Sequence, residues 1–200
     1  MKIINLKKEF EEKIIKDTLT VLKNGGLVIY PTETCYGIGA DATNPKAVEK
    51  IFQYKGQWRG KPILIAVASK QMARKYVEIN EIAENLYQNF LPGPVAVVSK
   101  SESKVVPRIE STTHTLGIRI PDYPLVLTII RAFGKPITST SANTSGKKTP
   151  YSLEDILKYT SKKRLGLIDL FLDAGKLPLR PTSTVVDTTL NEPTVLRQGE

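Results

Sequence analysis

The sequence predicts an α/β domain, in which helices pack on a β-sheet. Segments whose apolar residues recur at helical spacing interleave with short apolar runs along the whole length. Two hundred residues, 40% of them hydrophobic, can form one ample core, and no repeat, low-complexity tract or linker divides them. We therefore expect one domain that covers residues 1–200.

In the first half of the chain, apolar residues from Phe10 to Leu22 predict a helix that ends at Asn24-Gly25-Gly26. A second helix is predicted from Asn44, a capping residue, and Pro45, which suits the first helical position, through Tyr54. The other elements predicted here are strands at 27–30, 63–68 and 95–98 and helices near 70–76 and 80–90.

In the second half, residues 115–120 alternate strictly between apolar and polar types, which predicts a strand. Its core face would carry Leu116, Ile118 and Ile120, and we expect the opposite face, with Thr115, Gly117 and Arg119, to be open. The remaining elements are a loop at 100–113, a helix at 124–133 stopped by Gly134, a helix from a capping box at Ser152 and Asp155 to Tyr159, and a final hairpin of residues 183–187 and 194–197.

Residues 135–149 are rich in hydroxyl groups and suggest a short strand that delivers a polar loop. Hydroxyls and loop amides can donate to phosphate oxygens, Gly146 permits close approach of the backbone, and Lys147 and Lys148 add charge. A solvated turn is the alternative. The loop is not a P-loop, because Ser141 stands where that motif requires glycine.

The net charge of +9 comes from 29 Lys and Arg against 20 Asp and Glu. It suits acidic partners such as nucleotides, RNA or anionic surfaces, although lysine-rich surfaces also occur in heat-adapted proteins. The single cysteine and single histidine, Cys35 and His114, exclude an internal disulfide and a structural zinc cluster. No apolar run approaches the roughly 20 residues of a membrane helix, so we expect a soluble, cytoplasmic protein.

Several short motifs were compared with nucleotide-binding patterns. Gly37-Ile38-Gly39 follows a strand, but no acidic residue stands about 20 positions later to bind a ribose, so a dinucleotide site is rejected. The loop at 55–62 contains three cations and two glycines and could bind a triphosphate, or it could be plain surface. Cys35 is interpreted as a small packed residue, because no histidine stands nearby in sequence.

Two arginines lie on or near predicted strands and could clamp a carboxylate or a phosphate in bidentate fashion: Arg119 and Arg197. Short hydroxyl residues stand at or near other strand ends, where α/β sheets usually bind their ligands: Thr34, Ser139, Ser141 and Ser183. Together they predict a substrate that is rich in anionic and hydroxyl groups.

At this point the chain resembles the YrdC family of threonylcarbamoyl-adenylate synthases, also called TsaC, from about Lys7 to Gly199. The motifs that carry the resemblance are Tyr-Pro-Thr-Glu-Thr-Cys-Tyr-Gly at 30–37, Lys55 with its basic loop, Thr-Leu-Gly-Ile-Arg-Ile-Pro at 115–121, Ser-Ala-Asn-Thr-Ser-Gly at 141–146, Ser-Thr-Val-Val-Asp at 183–187 and Leu-Arg-Gln-Gly at 196–199. The resemblance implies a twisted, mixed sheet with helices packed on it and a basic concave face that holds the substrates.

The resemblance also implies a reaction. L-threonine, bicarbonate and ATP with magnesium would give threonylcarbamoyl-AMP and pyrophosphate, and a partner transferase would use the product to modify tRNA. The sequence stops at Glu200, where longer relatives continue through a linker into a second domain, so we expect the single-domain form here. The alternative from another class is a non-enzymatic module that binds double-stranded RNA or tRNA on the same basic face, and direct tRNA binding stays open in both cases.

Residue roles follow from the resemblance by matching motifs. L-threonine would be bound by Thr34, Arg119, Ser139 and Ser183. ATP would contact Lys61, Arg59, Thr115, Ser141, Asn143, Thr149 and Arg197, with Lys55 as the catalytic cation near the phosphates and no metal ligand assigned to a side chain. One departure stands out: the family has Lys-x-Arg where this chain has Lys55-Gly56-Gln57, so Arg59 is expected to supply the missing guanidinium.

Overall fold

The computed structural model describes residues 1–56 and 61–199. The helices are α1 Glu11–Lys23, α2 Pro45–Lys55, α3 Lys70–Ala73, α4 Glu81–Phe90, α5 Pro124–Phe133, α6 Leu153–Tyr159 and α7 Lys162–Leu165, with a 3₁₀ turn at Pro107–Ile109. The strands are β1 Lys2–Asn5, β2 Val28–Pro31, β3 Tyr36–Gly39, β4 Leu64–Ala66, β5 Val95–Lys100, β6 Thr115–Arg119, β7 Ile137–Ser141, β8 Leu170–Asp173, β9 Thr184–Asp187 and β10 Thr194–Arg197.

These strands form one mixed sheet in the order β1-β8-β2-β3-β7-β4-β6-β5-β9-β10. The parallel pairs are β1 with β8, β2 with β8, β4 with β6, and β5 with β9. The antiparallel pairs are β2 with β3, β3 with β7, β4 with β7, β5 with β6, and β9 with β10. The predicted α/β class with a mixed sheet is confirmed.

Helices cover both faces of the sheet, as β2 shows. Because successive strand residues point to opposite faces, Ile29 joins the larger core cluster, while Val28 and Tyr30 join a second one. The larger cluster includes residues of α2, α4 and α6, and the second contains residues of α1 and α5. Among the described residues, none of the helices has the length and apolar character needed to cross a membrane.

The helix boundaries predicted from capping signals are confirmed. The side chain of Asn44 accepts hydrogen bonds from the backbone N–H groups of Lys46 and Ala47 at the start of α2. Gly134 ends α5 with φ of 75°, a left-handed conformation that favours glycine. At α6, the Ser152 hydroxyl accepts from the Asp155 N–H group, as a capping box requires.

One strand extends further than its apolar entry suggested, and one expectation about local structure was wrong. Residues 139–141 belong to β7, where they hydrogen-bond to β3 and β4 on either side, so the polar loop begins after Ser141. The face of β6 with Gly117 and Arg119 is buried rather than open, because Leu64 covers Gly117 so closely that an added Cβ would clash with it. Strands β1, β3 and β8 and the short α7 were not predicted.

Candidate functional site

A cleft lies where the loop after β2 meets β6, β7 and the final hairpin. It encloses about 590 Å³, including its solvent-filled mouth. Six residues predicted to bind ligand line it together: Thr34, Arg119, Ser139, Ser141, Ser183 and Arg197. The other lining residues are Thr32, Cys35, Gly37, Pro62, Ile63, Leu64, Thr140 and Thr182. The structure therefore brings groups from separate motifs to one cavity.

The turn between β2 and β3 is organised by the hydroxyl of Thr32. Its Oγ1 donates to the carbonyl of Cys35 at 2.7 Å and accepts from the N–H groups of Thr34 and Cys35, each at 3.2 Å. It also lies 3.0 Å from the hydroxyl of Thr34. Because one buried hydroxyl bonds this many groups of the turn, the side chains of Glu33 and Thr34 are held in defined positions.

Arg119 ends β6 and contacts this turn. Its Nη2 donates to Thr34 Oγ1 at 3.0 Å and lies 2.8 Å from Oε1 of Glu33. The Arg119 and Glu33 side chains are 7% and 10% exposed, so the ion pair is buried. Glu33 belongs to the motif at 30–37, but the sequence assigned it no role, because nothing in the sequence places it beside Arg119, 86 positions later.

Arg197, at the end of β10, also lines the cleft. Its Nε and Nη2 donate to the backbone carbonyl of Ser183, at 3.1 and 2.8 Å. Loss of hydration and repulsion from Arg119 both lower the pKa of Arg197, which nevertheless stays cationic at neutral pH because an arginine pKa lies so far above 7. Two guanidinium groups that repel each other across one cavity make it attractive to anions.

Lys55, the last residue of α2, reaches the end of β7. Its Nζ donates to the carbonyl of Ser141 at 2.9 Å and to Oδ1 of Asn143 at 3.2 Å. The hydroxyl of Ser141 donates to the same Asn143 oxygen at 2.6 Å. Burial lowers the pKa of Lys55 to about 8, because it penalises the charged ammonium. Lys55 is therefore a half-buried cation with neutral partners, next to a residue that lines the cleft.

Other predicted residues lie farther from the cavity. Thr115 is at the opposite end of β6 from Arg119 and hydrogen-bonds to Ser111 at 2.6 Å. Lys61 is exposed and precedes Pro62 at the rim. Asn143 and Thr149 follow β7 without lining the cavity. Arg59, and with it the expectation that it replaces the family arginine, lies outside the described residues.

Cys35 and Tyr30 are also part of this region. Burial raises the pKa of the Cys35 thiol, which disfavours a nucleophilic thiolate and agrees with the interpretation as a packed residue. Burial raises the pKa of Tyr30 to about 12, and its hydroxyl donates to the carbonyl of Thr138.

Over residues 1–56 and 61–199, no three His, Cys, Asp or Glu side chains converge as metal ligands. The site therefore offers cations and hydroxyls.

Comparison with known proteins gives this cleft a context. The family model Sua5/YciO/YrdC, described as "Telomere recombination", matches residues 20–199. A putative threonylcarbamoyl-AMP synthase of Methanocaldococcus jannaschii is 35% identical, with 100% of this chain and 92% of that protein covered. The threonylcarbamoyl-AMP synthase of Pyrococcus abyssi is 37% identical over 98% of this chain, and the chain spans 57% of that protein's length.

A solved structure resembles the whole chain. The crystal structure of P. abyssi Sua5 complexed with L-threonine has a TM-score of 0.91 and 34% identity, and covers 100% of this chain and 58% of its own. The fold therefore corresponds to little more than half of that longer protein. From the family match and the identities, the chain belongs to the Sua5/YciO/YrdC family.

Proposed function

We propose that this Sua5/YciO/YrdC family member is a threonylcarbamoyl-AMP synthase, which converts L-threonine, bicarbonate and ATP into threonylcarbamoyl-AMP and pyrophosphate. The observation that carries the proposal is the convergence of Thr34, Arg119, Ser141, Ser183 and Arg197 on one cleft. Relatives that bear this name align with nearly the whole chain, and one relative was crystallised with L-threonine. These findings support the proposal.

The surroundings of Arg119 suit the amino acid. Its guanidinium can grip the α-carboxylate of L-threonine, because planar guanidinium and carboxylate groups match in bidentate geometry. Thr34, Ser139 and Ser183 surround that position with hydroxyls that can bond the remaining polar groups of the substrate. We assign these four residues to threonine binding.

Two other cations suit the nucleotide. Arg197 and Lys55 would neutralise charge on the triphosphate, and Ser141 would contact it from the cleft wall. Lys61, Asn143, Thr149, Thr115 and, from its place in sequence, Arg59 are assigned to more distant parts of ATP. Magnesium would arrive bound to the phosphates as part of the substrate.

The chemistry needs positioning and charge neutralisation more than proton transfer. The threonine ammonium and bicarbonate form an N-carboxylate, called a carbamate, with loss of one water and one proton. A carbamate oxygen then bonds to the α-phosphorus of ATP, and the bond from that phosphorus to the pyrophosphate oxygen breaks, so pyrophosphate leaves. Because the attacking group is already an anion, the cleft has to bring it to the phosphate and stabilise the leaving charge, which is the role proposed for Lys55.

The product would pass to a transferase that places the threonylcarbamoyl group on tRNA, in the cytoplasm, and direct tRNA contact is an open part of this proposal. A carbamate and a mixed anhydride both decompose in water, so rapid transfer is an advantage.

Pyrophosphate release from ATP tests the proposal. We expect release that requires both L-threonine and bicarbonate, with threonylcarbamoyl-AMP detected by mass spectrometry in equal amount. Omission of either co-substrate is the control for simple ATP hydrolysis. Release that is indifferent to threonine would contradict a synthase, and no release together with RNA binding would favour the RNA-binding alternative.

A further inference from the structure

The cations around the cleft differ in their partners. Arg119 lies 2.8 Å from the carboxylate of Glu33. Lys55 bonds a carbonyl and an amide oxygen, and Arg197 bonds one backbone carbonyl. Among the residues that the structure describes, Arg119 is thus the cleft cation whose charge is balanced by a carboxylate.

The Glu33–Arg119 pair is poorly suited to a purely structural role. Neither carboxylate oxygen of Glu33 accepts a hydrogen bond from a described residue, and Nε of Arg119 donates none, although all three atoms are buried. Removing two charges from water is costly and is offset only when hydrogen bonds complete the pair. A buried pair with unsatisfied atoms therefore points to a role in the site rather than to a gain in stability.

From this asymmetry we infer that Glu33 is a specificity-determining residue that reserves Arg119 for a carboxylate and leaves phosphate groups to Lys55 and Arg197. The inference rests on the proposed function, since that function assigns Arg119 to L-threonine and Lys55 and Arg197 to ATP. Glu33 does not line the cleft, so it acts through its charge on Arg119.

The physical reason is the difference in charge between the two ligands. A carboxylate carries one negative charge, and the amino acid that bears it also carries an ammonium, so its net charge is zero. A phosphate group carries up to two negative charges at neutral pH and no compensating cation. The α-carboxylate and the phosphate group are both attracted by Arg119 and repelled by Glu33, but the repulsion falls more heavily on the dianion, which has no ammonium to offset it. Without Glu33, the bare guanidinium of Arg119 would be a good phosphate site.

The test compares L-threonine binding by calorimetry with and without inorganic phosphate, at constant ionic strength. In the unmodified protein, we expect phosphate to leave the Kd for L-threonine within about twofold. In Glu33→Gln, which keeps the size of the side chain and removes its charge, the same phosphate concentration should raise the apparent Kd about fivefold or more, since one charge contact is worth roughly a factor of ten. Glu84→Gln is the matched control, because Glu84 forms surface ion pairs with Lys70 and Arg74.

A second variant covers the possibility that Glu33→Gln does not fold. Glu33→Asp keeps the charge and draws it away from Arg119 by one methylene, so phosphate should raise its apparent Kd for L-threonine about two- to threefold. Equal phosphate effects in the variants and the unmodified protein would overturn the inference, as would a loss of threonine affinity that does not depend on phosphate. If the unmodified protein binds no L-threonine, the proposed function itself fails, which is a separate result.

Discussion

The cations of the site are found in two different settings. Arg119 is buried, pairs with Glu33 and donates to Thr34. Arg197 lies on an exposed strand and bonds a backbone carbonyl, and Lys55 contacts only neutral oxygens among the described residues. The charge of Arg119 is balanced by a carboxylate, whereas the charges of Arg197 and Lys55 are not. This contrast matches an amino acid of zero net charge beside a polyanionic nucleotide.

Removing Arg119 should have the largest effect, because it eliminates the one cleft cation that a carboxylate balances among the described residues. We expect Arg119→Met to weaken L-threonine binding by about 100-fold or more, since truncating a buried charge pair costs about 2–5 kcal/mol. The variant should also lower Tm, because it leaves the Glu33 carboxylate buried without a counter-charge, at a cost of about 3 kcal/mol. Calorimetry and thermal unfolding measure the two effects.

The double variant Glu33→Met with Arg119→Met separates the effect on L-threonine binding from the effect on stability. Replacing a buried ion pair by apolar residues of similar volume is often neutral or stabilising, so Tm should return to or above that of the unmodified protein. Threonine binding should stay lost. If the double variant is as unstable as Arg119→Met, the ion pair stabilises the fold in its own right. The instability of Arg119→Met would then not come from the unpaired carboxylate of Glu33.

The sequence allowed much of this arrangement to be predicted, because capping and alternation are local signals. Asn44, Gly134 and Ser152 set helix ends where expected, and the strict alternation in β6 placed Arg119 opposite the core residues. Of the missed strands, β3 contains Gly37 and Gly39 at positions where the Tyr30 ring leaves little room for a side chain. This packing is a tertiary feature, which the pattern of a few neighbouring residues does not reveal.

The electrostatics of the site were the least predictable part. Glu33 and Arg119 are 86 positions apart, and their contact depends on the order of the strands and on the turn that Thr32 organises. Lys55 was expected near the phosphates from its motif, but its lowered pKa follows from burial under β7, which composition does not reveal. Sequence identified the charged groups, whereas folding determined how each charge is balanced.

A smaller effect is expected from Lys55→Met, which removes one of the cations that no carboxylate balances among the described residues. ATP affinity at pH 7 should fall about tenfold, in line with the roughly 1.5–3 kcal/mol of a hydrogen bond to a charged group. In the unmodified protein ATP affinity should decline as pH rises through about 8, the pKa of Lys55, and this decline should be absent from the variant. L-threonine affinity is the internal control and should stay within twofold.

Stability should change in the opposite direction. The folded-state pKa of Lys55 lies below its ordinary value of 10.5, so the unfolded chain binds more protons between about pH 8 and pH 10.5. The charged form is therefore unfavourable in the folded state below pH 8, and this cost disappears as pH rises toward 10.5. Lys55→Met should be more stable than the unmodified protein by about 1 kcal/mol at pH 7, allowing for partial exposure, and should lose that advantage at pH 10.5.

The smallest change concerns the neutral partner of Arg119. Thr34→Val keeps the shape of the side chain and removes the hydroxyl that accepts from Nη2 of Arg119. L-threonine affinity should fall about fivefold, or about 1 kcal/mol, which is less than a whole charge-assisted hydrogen bond because Arg119 keeps Glu33 as a partner. Thr34→Ser retains the hydroxyl and should stay near the unmodified value. Because Glu33 is intact in Thr34→Val, phosphate should still fail to compete with L-threonine. Competition in this variant would mean that the geometry around Arg119, rather than the charge of Glu33, keeps phosphate away from Arg119.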